Sequence, residues 1–131
     1  MYTINHVGLA VPSIAEYLKA NSIVYDGFTQ TQVIENETQR VREVFLSDGK
    51  TTVELLEPMG LDSPLKGFLN KNQFGGLVHI CFDCDDIMAS ISELCADGAR
   101  MITEPTPDVA FNGRKIAFLF MAFQVIELVE R

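Results

Sequence analysis

The 131-residue chain has two histidines, His6 and His79, and each is followed at the same interval by a glutamate set in an aliphatic run. Residue 6 to residue 54 is 48 positions, and so is residue 79 to residue 127. The neighbours correspond as well. His6-Val7-Gly8-Leu9-Ala10-Val11 aligns with His79-Ile80-Cys81-Phe82-Asp83-Cys84, and Val53-Glu54-Leu55-Leu56-Glu57 aligns with Ile126-Glu127-Leu128-Val129-Glu130. The chain thus reads as one module of about 60 residues written twice, which restricts it to folds assembled from two like halves. Each copy supplies one imidazole and one carboxylate. Together they make the ligand set for one divalent metal held between the halves.

Hydrophobic residues are 47% of the chain and charged residues 21%, the balance of a folded domain and not of a disordered segment. The expected organisation is a single domain over 1–131, with module 1 at about 1–58, a connecting segment at about 59–75 and module 2 at about 76–131. The net charge of −8 argues against nucleic acid or an anionic membrane as a partner. No apolar run approaches the ~18 residues of a membrane helix, and residues 1–20 lack the basic start and cleavage pattern of a leader. Cys81, Cys84 and Cys95 are sparse and odd in number, which fits a reduced, cytoplasmic setting. Cys81 and Cys84 lie three apart at the end of an expected strand. They therefore point to opposite faces and read as small packed residues, not as a metal or redox pair.

Both halves read as strand, helix, then three strands. Strand composition covers residues 2–11, and Ser13 with Glu16 forms a capping box that predicts a helix from Ile14 to about Ser22. Strands are expected at about 28–35, 40–47 and 51–56, with Ser47-Asp48-Gly49-Lys50 as a hairpin turn and Pro58 as a stop. A short helix over 65–70 is expected before Gly75-Gly76, with Leu61, Leu65, Phe68 and Leu69 packing the connecting segment. The pattern then restarts with a strand at 77–84, a helix from Ile87 to about Ala96 capped by Asp85-Asp86 and stopped by Gly98, and strands near 99–103, 114–120 and 124–130. In the first strand, His6 shares its face with Gly8 and Ala10, which leave room, while Val7, Leu9 and Val11 suit packing against a helix. A carboxylate in the middle of an apolar strand is costly to bury alone. Glu54 and Glu127, at repeat-related places, ask for a common neutraliser.

Ile4 to Val11, Val53 to Pro58, Asp62-Ser63-Pro64-Leu65 through Phe68-Leu69, Gly76 to Ile80 and Val125 to Val129 resemble the vicinal oxygen chelate superfamily. That superfamily includes glyoxalase I, methylmalonyl-CoA epimerase and extradiol dioxygenases, and the middle segments look most like the epimerase branch. The resemblance implies an α+β fold of two tandem βαβββ modules, with a curved, cleft-lining mixed sheet and helices on its outer face. It implies His6, Glu54, His79 and Glu127 as ligands of one divalent metal, and Glu43 as a catalytic carboxylate paired with Glu127. Two imidazoles and two carboxylates suit Co²⁺, Ni²⁺, Zn²⁺, Mn²⁺ or Fe²⁺. Glu43 also breaks the repeat, since its counterpart at the same offset is Ile116 while Val44-Phe45-Leu46 and Ala117-Phe118-Leu119 keep one pattern. The chain departs from the epimerase pattern in its apolar Phe120-Met121-Ala122-Phe123-Gln124 turn and in Arg40, which stands where a glycine is usual.

The implied activity is that of a metal-dependent isomerase moving a proton alpha to a thioester or ketone through a metal-bound enolate. Glu43 and Glu127 would serve as its two acid–base groups. The small-molecule substrate would be an acyl-CoA or another thioester or ketone. The alternatives are a glyoxalase I-like lactoylglutathione lyase and a non-catalytic small-molecule-binding protein of the same fold. Extradiol ring cleavage ranks lower, because it needs two histidines and one carboxylate and Glu54 would crowd it. Glu57 and Glu130 read as solvated strand ends, and Arg114 and Lys115 as surface charge ahead of the alternative that they meet a substrate phosphate or carboxylate. A homodimer is expected, since the apolar 120–123 tip would otherwise stand in water.

Overall fold

A computed structural model describes residues 1–131 and has an α+β fold with three helices and ten strands. The chain divides into two compact units, one of Val7–Val78 and one of Met1–His6 with His79–Arg131. No helix is long and apolar enough to cross a membrane.

The unit Val7–Val78 contains the latter part of β1 (Thr3–Ala10), α1 (Ile14–Ala20), β2 (Thr29–Gln30), β3 (Ile34–Asn36), β4 (Val41–Ser47), β5 (Thr52–Pro58) and α2 (Leu65–Lys71). Its strand order is β2-β4-β5-β1, with β3 also on β4, and β1 runs parallel to β5. Val11, Ile14, Val44, Leu46 and Leu55 form its core with Leu9, Tyr17 and Phe28, so the bulky face of β1 packs on α1 as expected. Asp48 Oδ1 accepts the N–H groups of Lys50 and Thr51 at 2.9 and 2.8 Å and closes the β4–β5 turn. Those two backbone donors hold its carboxyl below the usual range. A Cβ on Gly75 would collide with the Ala10 carbonyl oxygen, so this position at φ +87° accepts only glycine. Leu61, expected to pack the connecting segment, is exposed, while Leu65, Phe68 and Leu69 are half-buried.

The second unit holds β6 (Gly76–Cys84) from His79 onward, α3 (Ile87–Ala96), β7 (Arg100–Met101), β8 (Thr106–Pro107), a 3-10 turn at Val109–Phe111, β9 (Lys115–Met121) and β10 (Gln124–Glu130). The order is β6-β10-β9-β7, with β8 also on β9, and β6 runs parallel to β10. Its core is Cys84, Ile87, Ile91, Ala117, Leu119, Ile126 and Leu128. Cys84 lies in that core, where burial raises its thiol pKa, and Cys81 faces the other way, as the three-residue spacing predicts.

The repeat holds at the level of single hydrogen bonds. Ser13 Oγ accepts Glu16 N–H and Asp86 Oδ1 accepts Ala89 N–H, capping α1 and α3. Glu57 and Glu130 are not solvated ends. Glu57 accepts Ile14 N–H and Glu130 accepts Ile87 N–H, each at 2.9 Å, and each half-buried carboxylate meets the positive end of its own module's helix. The strand expected over 28–35 is broken in two, because Thr31 exchanges its hydroxyl for a ladder carbonyl. Phe45 N–H donates to Thr31 Oγ1 and Thr31 N–H to Phe45 O, both at 3.0 Å. In the second module Phe118 N–H donates to Thr103 Oγ1 at 2.9 Å, and the expected 99–103 strand is cut to β7 in the same way. β8 and the 3-10 turn had no expectation in the sequence.

Candidate active site

His6, His79 and Glu127 come together in the unit that contains them all, and each is at least nine-tenths buried. The two Nε2 atoms stand 3.2 Å apart, and Glu127 Oε1 lies 3.2 Å from His6 Nε2 and 3.3 Å from His79 Nε2. Two ligands held at ~2.1 Å from one ion and roughly at right angles lie ~3 Å from each other. The three atoms therefore have the separations of neighbouring ligands on a single divalent metal, and imidazole with carboxylate is a donor set that such an ion accepts.

The local sequence explains how they meet. Residues two apart in a strand share a face, so His79 and Cys81 face the same way on β6. Cys81 is registered against Glu127 on β10, and Phe118 of β9 stands on the other side of Glu127. His6 is oriented by its own neighbours. Its Nδ1 is 2.8 Å from Asn5 Oδ1, and Asn5 Nδ2 donates to Asp83 Oδ1 at 3.0 Å. The Asn5 amide gives its N–H to Asp83 and so presents its oxygen to His6. The imidazole proton then sits on Nδ1 and the Nε2 lone pair faces Glu127. The Phe111 ring stacks on His6 at 5.8 Å and 18°, and Phe118 meets His79 edge-on at 5.6 Å. Arg114 lies 5.4 Å over the Phe111 ring, a contact beyond simple surface charge.

The unit Val7–Val78 presents the related face of its own sheet. Glu54 on β5 is registered between Gly8 on β1 and Phe45 on β4, the positions that Cys81 and Phe118 occupy around Glu127. Glu54 is 3% exposed, so this carboxylate is buried within the sheet. Glu43 is 1% exposed and lies on the same face, two residues from Phe45 and registered against Leu56. It receives a hydrogen bond of 3.2 Å from Asn36 Nδ2.

Five residues in these two faces escaped the sequence reading: Asn5, Asp83, Asn36, Phe111 and Phe118. Asn5 and Asp83 carry the signal that singled out Glu43, since their counterparts at the repeat offset are Val78 and Ala10. Polar residues that break an apolar repeat mark the site. Lys115 and Arg42 lie outside it: Lys115 is exposed, and Arg42 pairs with Glu57 at 3.6 Å.

The chain is 34% identical over 131 residues to the methylmalonyl-CoA epimerase of Dictyostelium discoideum, covering 98% of this chain and 78% of that protein. It is 34% identical to the ethylmalonyl-CoA/methylmalonyl-CoA epimerase of Cereibacter sphaeroides, covering 88% and 86%. Among solved structures, a variant of Streptomyces coelicolor methylmalonyl-CoA epimerase in complex with 2-nitronate-propionyl-CoA matches with a TM-score of 0.82 and 31% identity, covering 98% of this chain and 93% of that one. The family model that matches residues 5–118 is that of the glyoxalase/bleomycin resistance protein/dioxygenase superfamily, and the chain belongs to this superfamily of enzymes.

Proposed function

We propose that this enzyme is a metal-dependent epimerase that moves the proton on the carbon alpha to the thioester of a methylmalonyl-CoA-like substrate. The observation that carries the reading is the convergence of His6, His79 and Glu127 on one point. Glu54 is the fourth ligand in this reading. Gly8, two residues along β1 from His6, is registered against Glu54, as Cys81, two residues from His79, is registered against Glu127. The repeat therefore assigns Glu54 to His6 as it assigns Glu127 to His79. A divalent ion held by these four residues supplies a Lewis acid for the negative charge that develops on a substrate oxygen.

The chain's own residues do the rest. Epimerisation needs a group to take the proton from one face and a group to return it to the other. Glu43, buried and held by Asn36, takes it, and Glu127 returns it. Phe118 and Phe111 exclude water from the imidazoles they cover, which strengthens the electrostatics there. Asn5 keeps the His6 proton on Nδ1. The net charge of −8 does not oppose an anionic acyl-CoA, because a divalent ion held by these residues would invert the field locally. The same reading places the enzyme in the cytoplasm and makes it a homodimer, a second copy covering the exposed Phe123.

The test is proton NMR of methylmalonyl-CoA in D₂O with protein reconstituted with Co²⁺. With the epimer whose alpha proton faces Glu43, the signal disappears with the unaltered protein, and Glu43→Gln slows its loss by about a hundredfold or more, as removal of a general base does. Exchange no faster than a His79→Ala control overturns methylmalonyl-CoA as substrate. Full exchange in Glu43→Gln overturns the role of Glu43. A metal stoichiometry near zero after dialysis favours a binding protein.

A further inference from the structure

We propose that Asn36 is a positioning residue for Glu43, and that asparagine, not aspartate, stands there because Glu43 needs a donor. The proposal rests on the reading of Glu43 as the base. Asn36 closes β3, is 2% exposed and uses both ends of its amide. Its Oδ1 accepts the Gln39 N–H at 3.1 Å, which forms the turn into β4. Its Nδ2 donates to Glu43 Oε1 at 3.2 Å. The turn thus fixes which end of the amide faces Glu43, and the amide then fixes the carboxylate.

The second module contains the matching control. Ile34 is registered against Glu43, and Thr106 against Ile116, the residue that replaces Glu43 in the repeat. Two residues beyond Thr106 is Asp108, the counterpart of Asn36, also buried at 5% exposed. Asp108 Oδ1 accepts the Ala110 N–H at 2.8 Å and starts the turn towards β9. Arg40 and Asn112, at φ 58° and 55°, continue the correspondence through the two turns. An aspartate therefore makes this turn where the strand residue is isoleucine. The turn requires only an acceptor, and a donor is present only where a glutamate faces it. A fixed Oε1 removes the rotation of the carboxylate that would otherwise have to be frozen in the transition state.

The test replaces Asn36 with Asp, which keeps the turn acceptor and removes the donor. In the same D₂O assay with methylmalonyl-CoA, kcat falls by about ten- to a hundredfold, while KM stays within about twofold. The two facing carboxylates also lower Tm. The double variant Asn36→Asp/Glu43→Gln exchanges donor and acceptor, and its Tm recovers towards that of the unaltered protein although it is inactive. Unchanged kcat in Asn36→Asp, with Glu43→Gln inactive, overturns the proposal and leaves Glu43 as the base. Activity in Glu43→Gln instead overturns the reading of the base itself. If Asn36→Asp does not fold, recovery of folding in the double variant supports the direct bond. Failure of both to fold means that exchanging donor and acceptor does not restore the contact, and overturns the proposal.

Discussion

Glu54 and Glu57, like Glu127 and Glu130, lie three positions apart in one strand and so face opposite sides of a sheet. That difference of direction gives two chemically identical residues different work. Glu57 and Glu130 point to the helix side, where Ile14 and Ile87 present N–H groups that have no partner inside the helix. Each bond also sets a carboxylate against the positive helix end. Glu130→Ala is expected to cost about 1–2 kcal/mol, and Glu130→Gln, which keeps an acceptor but loses the charge, about half as much. Urea unfolding measures both, and a loss below about 0.5 kcal/mol for the alanine variant is what a solvated strand end gives. The sequence made these glutamates look solvated because they follow the last aliphatic residue of each strand. What it did not display is the helix end that comes back to meet them.

At the scale of elements, alternation and capping were legible, because both are local. Ser13 and Asp86 start α1 and α3, and the aliphatic faces of β1, β5, β6 and β10 were readable from period two. The outer strands were not. β2 and β3, like β7 and β8, are interrupted where Thr31 and Thr103 offer a hydroxyl to Phe45 and Phe118, a hydrogen-bond exchange that no propensity displays. The β9–β10 hairpin is a second local conflict. Ala122 and Phe123 both have positive φ, at 40° and 73°, in a two-residue turn of the kind that favours Asn-Gly. The cost of a left-handed non-glycine residue is about 1–2 kcal/mol, and Asn accepts that conformation better than Ala. Ala122→Asn is therefore expected to raise stability by about 0.5–1 kcal/mol. Thermal unfolding reads this as a higher Tm, and an unchanged or lower Tm contradicts strain at this turn.

At the scale of the whole chain, the repeat was the most legible property and also the reason some of the site stayed hidden. A fixed offset pairs Asn36 with Val109, yet the strand register pairs it with Asp108, because the second turn carries one more residue, Gly113 at φ 83° after Asn112. One inserted residue concealed that both modules bury a short polar side chain at this turn. The two halves of the sequence are also not the two compact units, since Met1–His6 groups with His79–Arg131. The ties are specific: Tyr2 Oη to Glu93 at 3.0 Å, Asn5 to Asp83, and Arg131 to Thr3 at 2.9 Å. Such contacts span most of the chain length and are formed only after the chain has closed a long loop. The β9–β10 hairpin leaves apolar side chains outward, with Phe123 at 99% and Phe120 at 45% exposure around a strained turn. Exposed apolar side chains grouped on one hairpin mark a surface that a protein partner covers. Light scattering is therefore expected to give about 29 kDa, twice the 14.6 kDa chain. Phe123→Asp shifts that mass to the monomer without unfolding the chain, because Phe123 makes no core contact that the change removes. A monomeric mass for the unaltered protein refutes the dimer, and a dimeric Phe123→Asp moves the interface away from this hairpin.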